Sequence, residues 1–200
     1  MRRNGFTLAE VLITLGIIGI VAAITIPTIT SDTQTAKIGP KLAKAASVFE
    51  QGNESLLNKN SVDALTDGEL VESAGDYCDL LLNYMKGSCD GTKLTLVDGV
   101  SYDITISDSS TSPVMPHRHK IGSIVVDING ESKPNKSAED IFYFTLYDDG
   151  SLRPQGGKNW DEANSDADTW ETKCPADAEP SAPEYCAGHV FENNLKVLYK

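Results

Sequence analysis

A long apolar run near the N-terminus constrains this chain more strongly than any other feature. Residues 11–31 are 21 consecutive positions without a charged side chain. A helix of about 20 apolar residues crosses the hydrocarbon core of a bilayer, so the run predicts a membrane-spanning helix. One acidic residue, Glu10, stands at the start of the run. Because an unpaired charge in lipid costs roughly 2.5–3.5 kcal/mol or more, we expect Glu10 to have a partner.

The residues that flank the run distinguish a secretory signal from a permanent anchor. Arg2 and Arg3 give the basic start that both have, but the run is longer than the roughly 7–15 apolar residues of a signal peptide. No clear small-x-small cleavage site follows it. The positive-inside bias keeps the arginines in the cytoplasm and places the chain from about residue 30 onward outside. A plain single-span anchor explains this length and orientation, but it does not explain Glu10.

The residues from Gly5 to Glu10, GFTLAE, together with the apolar run, resemble the N-terminus of type IV pilins and type II secretion pseudopilins. The resemblance implies that a prepilin peptidase cleaves between Gly5 and Phe6 and then methylates the new N-terminal amine of Phe6. It also implies that Glu10 pairs with the amine of a neighbouring subunit. Such a pair favours one axial register, because any other register leaves two charges unpaired in lipid.

The same resemblance implies a structural protein rather than an enzyme, with no cofactor. The chain is expected to be a subunit of a type IV pilus-like or type II secretion pseudopilus filament. Its expected partners are other copies of itself or related pilin-like subunits, the prepilin peptidase, the inner membrane and the secretion or pilus assembly machinery. It is expected first as a single-pass inner-membrane protein with its N-terminus inside and its globular domain outside, and then in the filament.

Other functions are weighed against this hypothesis. The alternative is a membrane-tethered extracytoplasmic domain that binds a ligand and does not polymerise. A tethered enzyme has no support, because the sequence has no nucleophile with a base and an orienting acid, no Gly-rich phosphate loop and no His-Glu-x-x-His. The 17 basic and 29 acidic residues give a net charge of −12, whereas nucleic-acid binding needs clustered Lys and Arg. We therefore expect no nucleic-acid partner.

The organisation of the chain follows from the helix that the resemblance implies, which runs from Phe6 to the mid-fifties. Pro27 lacks a backbone N–H and predicts a kink or local loosening. Beyond Lys37, apolar residues recur at helical spacing and predict a face that packs on the globular domain. The expected segments are a leader peptide at 1–5, a transmembrane and assembly helix at 6–30, its amphipathic continuation at 31–58 and a globular extracytoplasmic α+β domain at 59–200.

The globular part shows the patterns of a short helix and a small sheet. Residues 76–86 predict a second helix with Asp76 as its N-cap and Gly87 at its end. Alternation over residues 93–106 around Asp98-Gly99 predicts a hairpin with a two-residue turn. Further strands are predicted at 121–128 and 141–147, with a loop over 107–120. The predicted fold class is α+β and pilin-like: a long N-terminal helix, membrane-spanning in its first half, packed against a small antiparallel β-sheet.

Four cysteines, Cys78, Cys89, Cys174 and Cys186, form an even set behind the predicted membrane segment. This pattern indicates disulfides and an oxidising compartment, and the spacings lack the close Cys-x-x-Cys pairs of a zinc site. A bridge between Cys174 and Cys186 resembles the C-terminal disulfide loop of many pilins. Cys78–Cys89 is a second candidate bridge, and pairing across the domain is the alternative.

Three polar residues, Asp127, Asn129 and Glu131, alternate like the start of a calcium loop, and some pseudopilins bind calcium in a C-terminal loop. However, the EF-hand pattern needs an acidic residue at its twelfth position, where this chain has Ala138. A tight Asp-Asn-Gly turn whose side chains bond their own backbone is the favoured interpretation. We therefore expect no metal site and keep these three residues as weak candidates.

Overall fold

The structure, a computed structural model, describes most of the chain. The described residues are 6–67, 70–107, 113–115, 118–157, 169–174 and 181–195. Only the backbone is described for residues 26–35, 113–115 and 118. The chain divides into two compact units, Met1–Lys37 and Ile38–Lys200.

The first element is a single helix, α1, which extends over the 53 residues Leu8–Asn60. It therefore ends a few residues beyond the mid-fifties that the sequence predicts. Its backbone is helical through Pro27 and Pro40. The helix is continuous at both prolines, and the kink or local loosening at Pro27 stays a prediction.

The apolar side chains in the first part of α1 are exposed on every side. Their exposed fractions range from 44% at Val11 to 80% at Leu8. The 18 residues Leu8–Thr25 have a mean hydropathy of 2.3 and are long and apolar enough to cross a membrane. A helix that is hydrophobic all round belongs in the core of a large protein or in a membrane.

The second unit contains an antiparallel sheet with strand order β1-β2-β3-β5-β6-β7, and a short strand, β4, pairs with β5. The strands are β1 Gly87–Asp90, β2 Lys93–Leu96, β3 Ser101–Ile106, β4 Pro113–Met115, β5 Arg118–Asp127, β6 Ile141–Tyr147 and β7 Leu152–Pro154. Together with the helices they confirm the predicted α+β class. The strand at residues 141–147 agrees with its prediction at both ends, whereas β4 lies inside the stretch predicted as a loop.

The later part of α1 packs on the sheet through the predicted apolar stripe. Leu42 and Phe49 are fully buried, and the Phe49 ring lies 5.0 Å from the ring of Tyr102 on β3. The Tyr102 hydroxyl donates a hydrogen bond of 3.0 Å to the carbonyl of Ala45. Burying each such large side chain contributes about 1.5–3 kcal/mol, so this stripe fixes which side of the helix faces the sheet.

The second helix, α2, spans Ala74–Leu81, and the sequence prediction of its start was wrong. Its N-cap is Ser73 rather than Asp76, since the Ser73 hydroxyl accepts the N–H of Asp76 at 3.1 Å. The helix ends before Gly87, which begins β1 instead of terminating α2. A side chain at Gly87 would place its Cβ 2.3 Å from the carbonyl oxygen of Thr95, so the close pairing of β1 with β2 requires glycine here.

The turn between β2 and β3 also differs from its prediction. The Leu96 N–H donates to the carbonyl of Val100 at 2.9 Å, which leaves a loop of three residues, 97–99, instead of two. Gly99 has φ +90°, a backbone conformation that L side chains rarely adopt. Three-residue hairpin loops characteristically end in such a left-handed residue, so the glycine fits the longer loop.

The C-terminal part of the described chain contains two short helices that the sequence patterns did not predict. They are α3, Trp170–Lys173, and α4, Cys186–Glu192. The ring of Phe191 packs edge-on against Phe144 of β6 at 5.8 Å. Further along, a Cβ on Gly39 of α1 would lie 1.8 Å from the carbonyl oxygen of Leu195. The C-terminal turn is therefore seated directly on the helix backbone at Gly39.

Candidate functional site

Glu10 and Thr7 form a reciprocal set of hydrogen bonds at the start of α1. The Thr7 backbone N–H and hydroxyl donate to Oε2 of Glu10 at 2.8 and 2.7 Å, and the Glu10 N–H donates to the Thr7 hydroxyl oxygen at 3.3 Å. This arrangement is a capping box, in which an N-cap residue and the residue three positions later satisfy each other's backbone donors. It also places the carboxylate near the positive end of the helix dipole, where a negative charge is favoured.

The remaining polar groups of the apolar stretch bond within the helix. The Thr14 hydroxyl donates to the carbonyls of Glu10 and Val11, and the Thr25 hydroxyl donates to the carbonyl of Val21, each at 2.9 Å. Glu10 is the single formally charged side chain in Leu8–Thr25. The stretch therefore carries one charge on an otherwise apolar rod.

The predicted processing site lies immediately before this cap. Phe6 is 89% exposed and precedes the first helical residue, Leu8, by two positions. Gly5, the other residue of the predicted cleavage site, lies outside the described residues. The prediction of cleavage between them, and of methylation on Phe6, is therefore not tested by the geometry.

Comparison with known proteins identifies this segment. Residues 1–26 match the family model described as the prokaryotic N-terminal methylation motif. The chain carries a prepilin-type signal. This signal is that of type IV pilins and pseudopilins, and it supports a type IV pilin-like protein processed by a prepilin peptidase. No solved structure matches the chain with significant similarity.

The prepilin-type signal and the apolar helix both indicate where the protein is located, and the signal also indicates its class. Both fit a protein anchored in the inner membrane. The motif implies assembly with pilin-family machinery, and the family that carries it is structural rather than enzymatic.

The four cysteines form two bridges that are local in sequence. Cys78 of α2 is bonded to Cys89 of β1, and Cys174 is bonded to Cys186 at the start of α4, with Cα–Cα distances of 6.0 and 5.3 Å. The helix predicted to separate Cys78 from Cys89 ends at Leu81, and the chain turns back into β1. Each bridge therefore joins cysteines that are close in sequence, and neither bridge crosses the domain.

The weak metal candidates belong to a turn. The Asn129 N–H donates to Oδ1 of Asp127 at 3.0 Å, as in the tight turn that the sequence favours, and Glu131 is exposed. Burial raises the pKa of Asp127, and the nearby Asp140 carboxylate raises it further. Asp140 in turn accepts the N–H groups of Asn135 and Lys136 at 2.7 and 2.6 Å. Within the described part of the chain, no three Asp, Glu, His or Cys side chains are grouped to hold a metal ion.

One edge of the sheet is covered by side chains and by α4. The Leu152 N–H of β7 donates to Oε1 of Glu50 at 2.9 Å, and the Gly188 N–H donates to the carbonyl of Gln155 at 2.8 Å. Pro154, in the same strand, has no N–H to offer. Covered edges resist the addition of a strand from another chain.

Two features of the site were missed at the sequence level. The capping box has a recognised signature, Thr or Ser followed three positions later by Glu, and Thr7-Leu8-Ala9-Glu10 has it. The second feature is a small cluster in which the rings of Trp170 and His189 lie 4.6 Å apart beside the C-terminal bridge. No sequence signal indicates this cluster, because its members are brought together by the fold and the bridge.

Proposed function

We propose that this chain is a structural subunit of a type IV pilus-like or type II secretion pseudopilus filament. A prepilin peptidase removes residues 1–5 and methylates the new N-terminal amine of Phe6. Residues 6–30 then serve first as the membrane anchor and later as the assembly helix, and residues 31–58 continue it. Residues 59–200 form the domain outside the inner membrane, and the subunit carries out no chemistry of its own.

The observation that carries this proposal is the surface of α1 from Leu8 to Thr25. Its large apolar side chains are all at least 44% exposed, and one carboxylate lies among them. Apolar surface gains about 25 cal/mol per Å² when it leaves water, so this stretch requires lipid or other apolar helices around it. A lone carboxylate in such surroundings requires a cation, which a simple anchor does not supply.

Processing would create that cation. Cleavage after Gly5 turns the backbone amide of Phe6 into an amine, whereas the hydrogen bonds of the Glu10 side chain in the intact chain go to the neutral groups of Thr7. Both the amine and the carboxylate are costly in lipid unless paired. Pairing the amine of one copy with Glu10 of the next therefore favours assembly at a single stagger.

The sheet supports a helix-based assembly over one that adds strands. At the β7 edge, the Leu152 N–H donates to the Glu50 carboxylate, and the Gln155 carbonyl just beyond β7 accepts the N–H of Gly188 in α4. The opposite edge strand, β1, has four residues and is bonded to α2 through Cys89. Short or covered edges disfavour growth by strand pairing, which leaves α1 as the surface for polymerisation.

Intact-mass spectrometry tests the processing step in cells that contain an active prepilin peptidase. We expect a species that lacks residues 1–5 and carries one added methyl group. Gly5→Leu should leave the chain at full length, because a bulky residue then stands at the cleavage site. A full-length wild-type chain in these cells would contradict the proposal.

Shearing of cell-surface filaments tests the assembly step. Glu10→Val should be processed but absent from sheared filament fractions, since the amine of its neighbour then has no partner. Glu10→Gln is the matched control, because it keeps the size of the side chain and removes the charge. If Glu10→Gln assembles as well as the wild type, pairing of charges is not the basis of assembly. A processed wild-type chain that never enters these fractions would favour the tethered ligand-binding alternative.

A further inference from the structure

Helix α1 begins only two residues after Phe6, where the prepilin peptidase is proposed to cut. Its first helical residue is Leu8, and Phe6 and Thr7 lie outside the helix. A helix with no stop signal gains one hydrogen bond for each residue by which it is extended. The position of the helix start therefore decides whether the proposed cleavage site belongs to a helix or to non-helical chain.

Extension of the helix towards the N-terminus would hinder cleavage. In an α-helix the carbonyl of each residue accepts the N–H four positions later. The carbonyl of Gly5 would then be bonded to the N–H of Ala9, and this carbonyl is the group that is attacked when the Gly5–Phe6 bond is cut. Because that hydrogen bond would have to break first, only the non-helical fraction of the chain would be a substrate.

Thr7 holds the helix start in place. If the helix were extended, the N–H of Glu10 would donate to the carbonyl of Phe6. It donates instead to the hydroxyl oxygen of Thr7 at 3.3 Å, and the Thr7 N–H donates to Oε2 of Glu10 at 2.8 Å. The Thr7 carbonyl accepts the N–H of Val11 at 3.3 Å, as the carbonyl of an N-cap residue does. The hydroxyl of Thr7 thus occupies the donor that would draw Phe6 into the helix.

The sequence also contains a competing helix start. Asn4 is the next residue upstream of a type that favours the N-cap position. A helix that began there would have residues 5–7 in its first turn, and it would include the proposed cleavage site. Thr7 is the stronger start of the two, because a glutamate follows it three positions later and completes a capping box.

We propose that Thr7 is a positioning residue for processing, whose hydroxyl fixes the start of α1 and keeps the Gly5–Phe6 bond non-helical and open to the prepilin peptidase. This inference rests on the function proposed above and concerns its first step rather than assembly. The hydroxyl acts on the backbone N–H of residue 10, which does not depend on the side chain there. Glu10→Val therefore keeps this contact, in agreement with the processing expected of that variant.

Cleavage of the full chain in detergent by a purified prepilin peptidase tests the role of Thr7. Thr7→Val keeps the shape of threonine but has no hydroxyl, so the helix start is no longer fixed. We expect kcat/KM to fall by about 2- to 30-fold, the equilibrium factor that corresponds to the loss of an N-cap. The change should be a rise in KM with kcat unchanged, because a smaller competent fraction raises the apparent dissociation constant and leaves the chemical step as it was.

Thr7→Ser and Thr7→Asn are the matched controls, because both side chains are strong N-caps and they differ in shape. Both variants should be cleaved at least as well as the wild type. If Thr7→Asn is as poor a substrate as Thr7→Val, the peptidase recognises the threonine side chain itself and the proposal is overturned. An unchanged KM for Thr7→Val, or a fall in kcat alone, would overturn it as well.

The carbon chemical shifts of Gly5 and Phe6, measured by NMR on the full chain in detergent without peptidase, separate this inference from the proposed function. These shifts should move towards helical values in Thr7→Val and keep their wild-type values in Thr7→Ser. Shifts that do not move in Thr7→Val would contradict the proposal. A wild-type chain that the active peptidase leaves intact would instead overturn the proposed function.

Discussion

The buried hydroxyl of Tyr77 offers a sharp test of how α1, α2 and the turn after β6 are joined. Tyr77 is fully buried and donates a hydrogen bond to Oδ1 of Asn53, which is itself fully buried. The Asn53 amide donates to the carbonyl of Gly150 at 2.7 Å. Burial raises the pKa of Tyr77, so its hydroxyl stays a neutral donor at physiological pH. Asn53 therefore links three elements through two hydrogen bonds.

Tyr77→Phe removes the donor and leaves Oδ1 of Asn53 buried without it. An orphaned buried acceptor costs about 1–3 kcal/mol in the free energy of unfolding. Tyr102→Phe is the matched control, because Tyr102 is equally buried and also bonds to α1. Its acceptor is the carbonyl of Ala45, which keeps the helical hydrogen bond from Phe49 when the hydroxyl is lost. The control should therefore cost about 0.5–1.5 kcal/mol, the net value of an ordinary hydrogen bond.

Urea unfolding of the full chain in detergent, followed by tyrosine and tryptophan fluorescence, measures both variants. We expect the larger loss of stability for Tyr77→Phe, with the slope of the transition unchanged. Equal losses for Tyr77→Phe and Tyr102→Phe would refute the argument that the satisfaction of the remaining acceptor decides the cost.

Three further predictions concern the second unit. Burial lowers the pKa of His189 below its ordinary value of 6.5, so the unfolded chain binds the proton more tightly than the folded chain. The stability that depends on this group is complete above that value and is lost as the pH falls towards the folded pKa. His189→Gln should therefore make the urea midpoint less dependent on pH between about pH 5 and pH 8. Replacing Cys174 and Cys186 together by serine should cost about 3 kcal/mol, because the bridge closes a short loop, and a variant midpoint equal to that of the oxidised wild type would contradict this. Gly39→Ala should lower the melting temperature, because its Cβ would lie 1.8 Å from the Leu195 carbonyl, and an unchanged melting temperature would show that the C-terminal turn does not rest on α1.

Much of the fold could be predicted because it depends on patterns local in sequence. The strand predicted at residues 141–147 has both bounds of β6, and the helical spacing of Leu42 and Phe49 predicts the packed side of α1. These patterns reflect burial on one face, which is strongly specified by hydrophobic period. The α+β class followed from them.

The remaining elements depend on contacts between distant residues. Gly87 was interpreted as a helix end, yet it is needed for the approach of Thr95, which is known only when β1 and β2 are paired. Helix α4 has Gly188 near its centre, a poor helix former, and this residue is required because the backbone of Gly156 lies 2.4 Å from the site of a Cβ. In both cases a tertiary contact outweighs the local preference.

The candidate site was predictable in part. Glu10 stands out in the sequence because an acid is costly in an apolar run, but its bond to Thr7 was overlooked although both residues lie within one helical turn.

The capping box at the start of α1 affects how the chain is held in the membrane before the proposed assembly. A copy whose carboxylate is already held by Thr7 does not require an immediate encounter to remain in the bilayer. Under the proposed function, unincorporated copies can therefore accumulate in the bilayer. On incorporation as proposed, the carboxylate exchanges the neutral donors of Thr7 for the amine of a neighbouring copy, so Thr7 holds it only until that cationic partner is present.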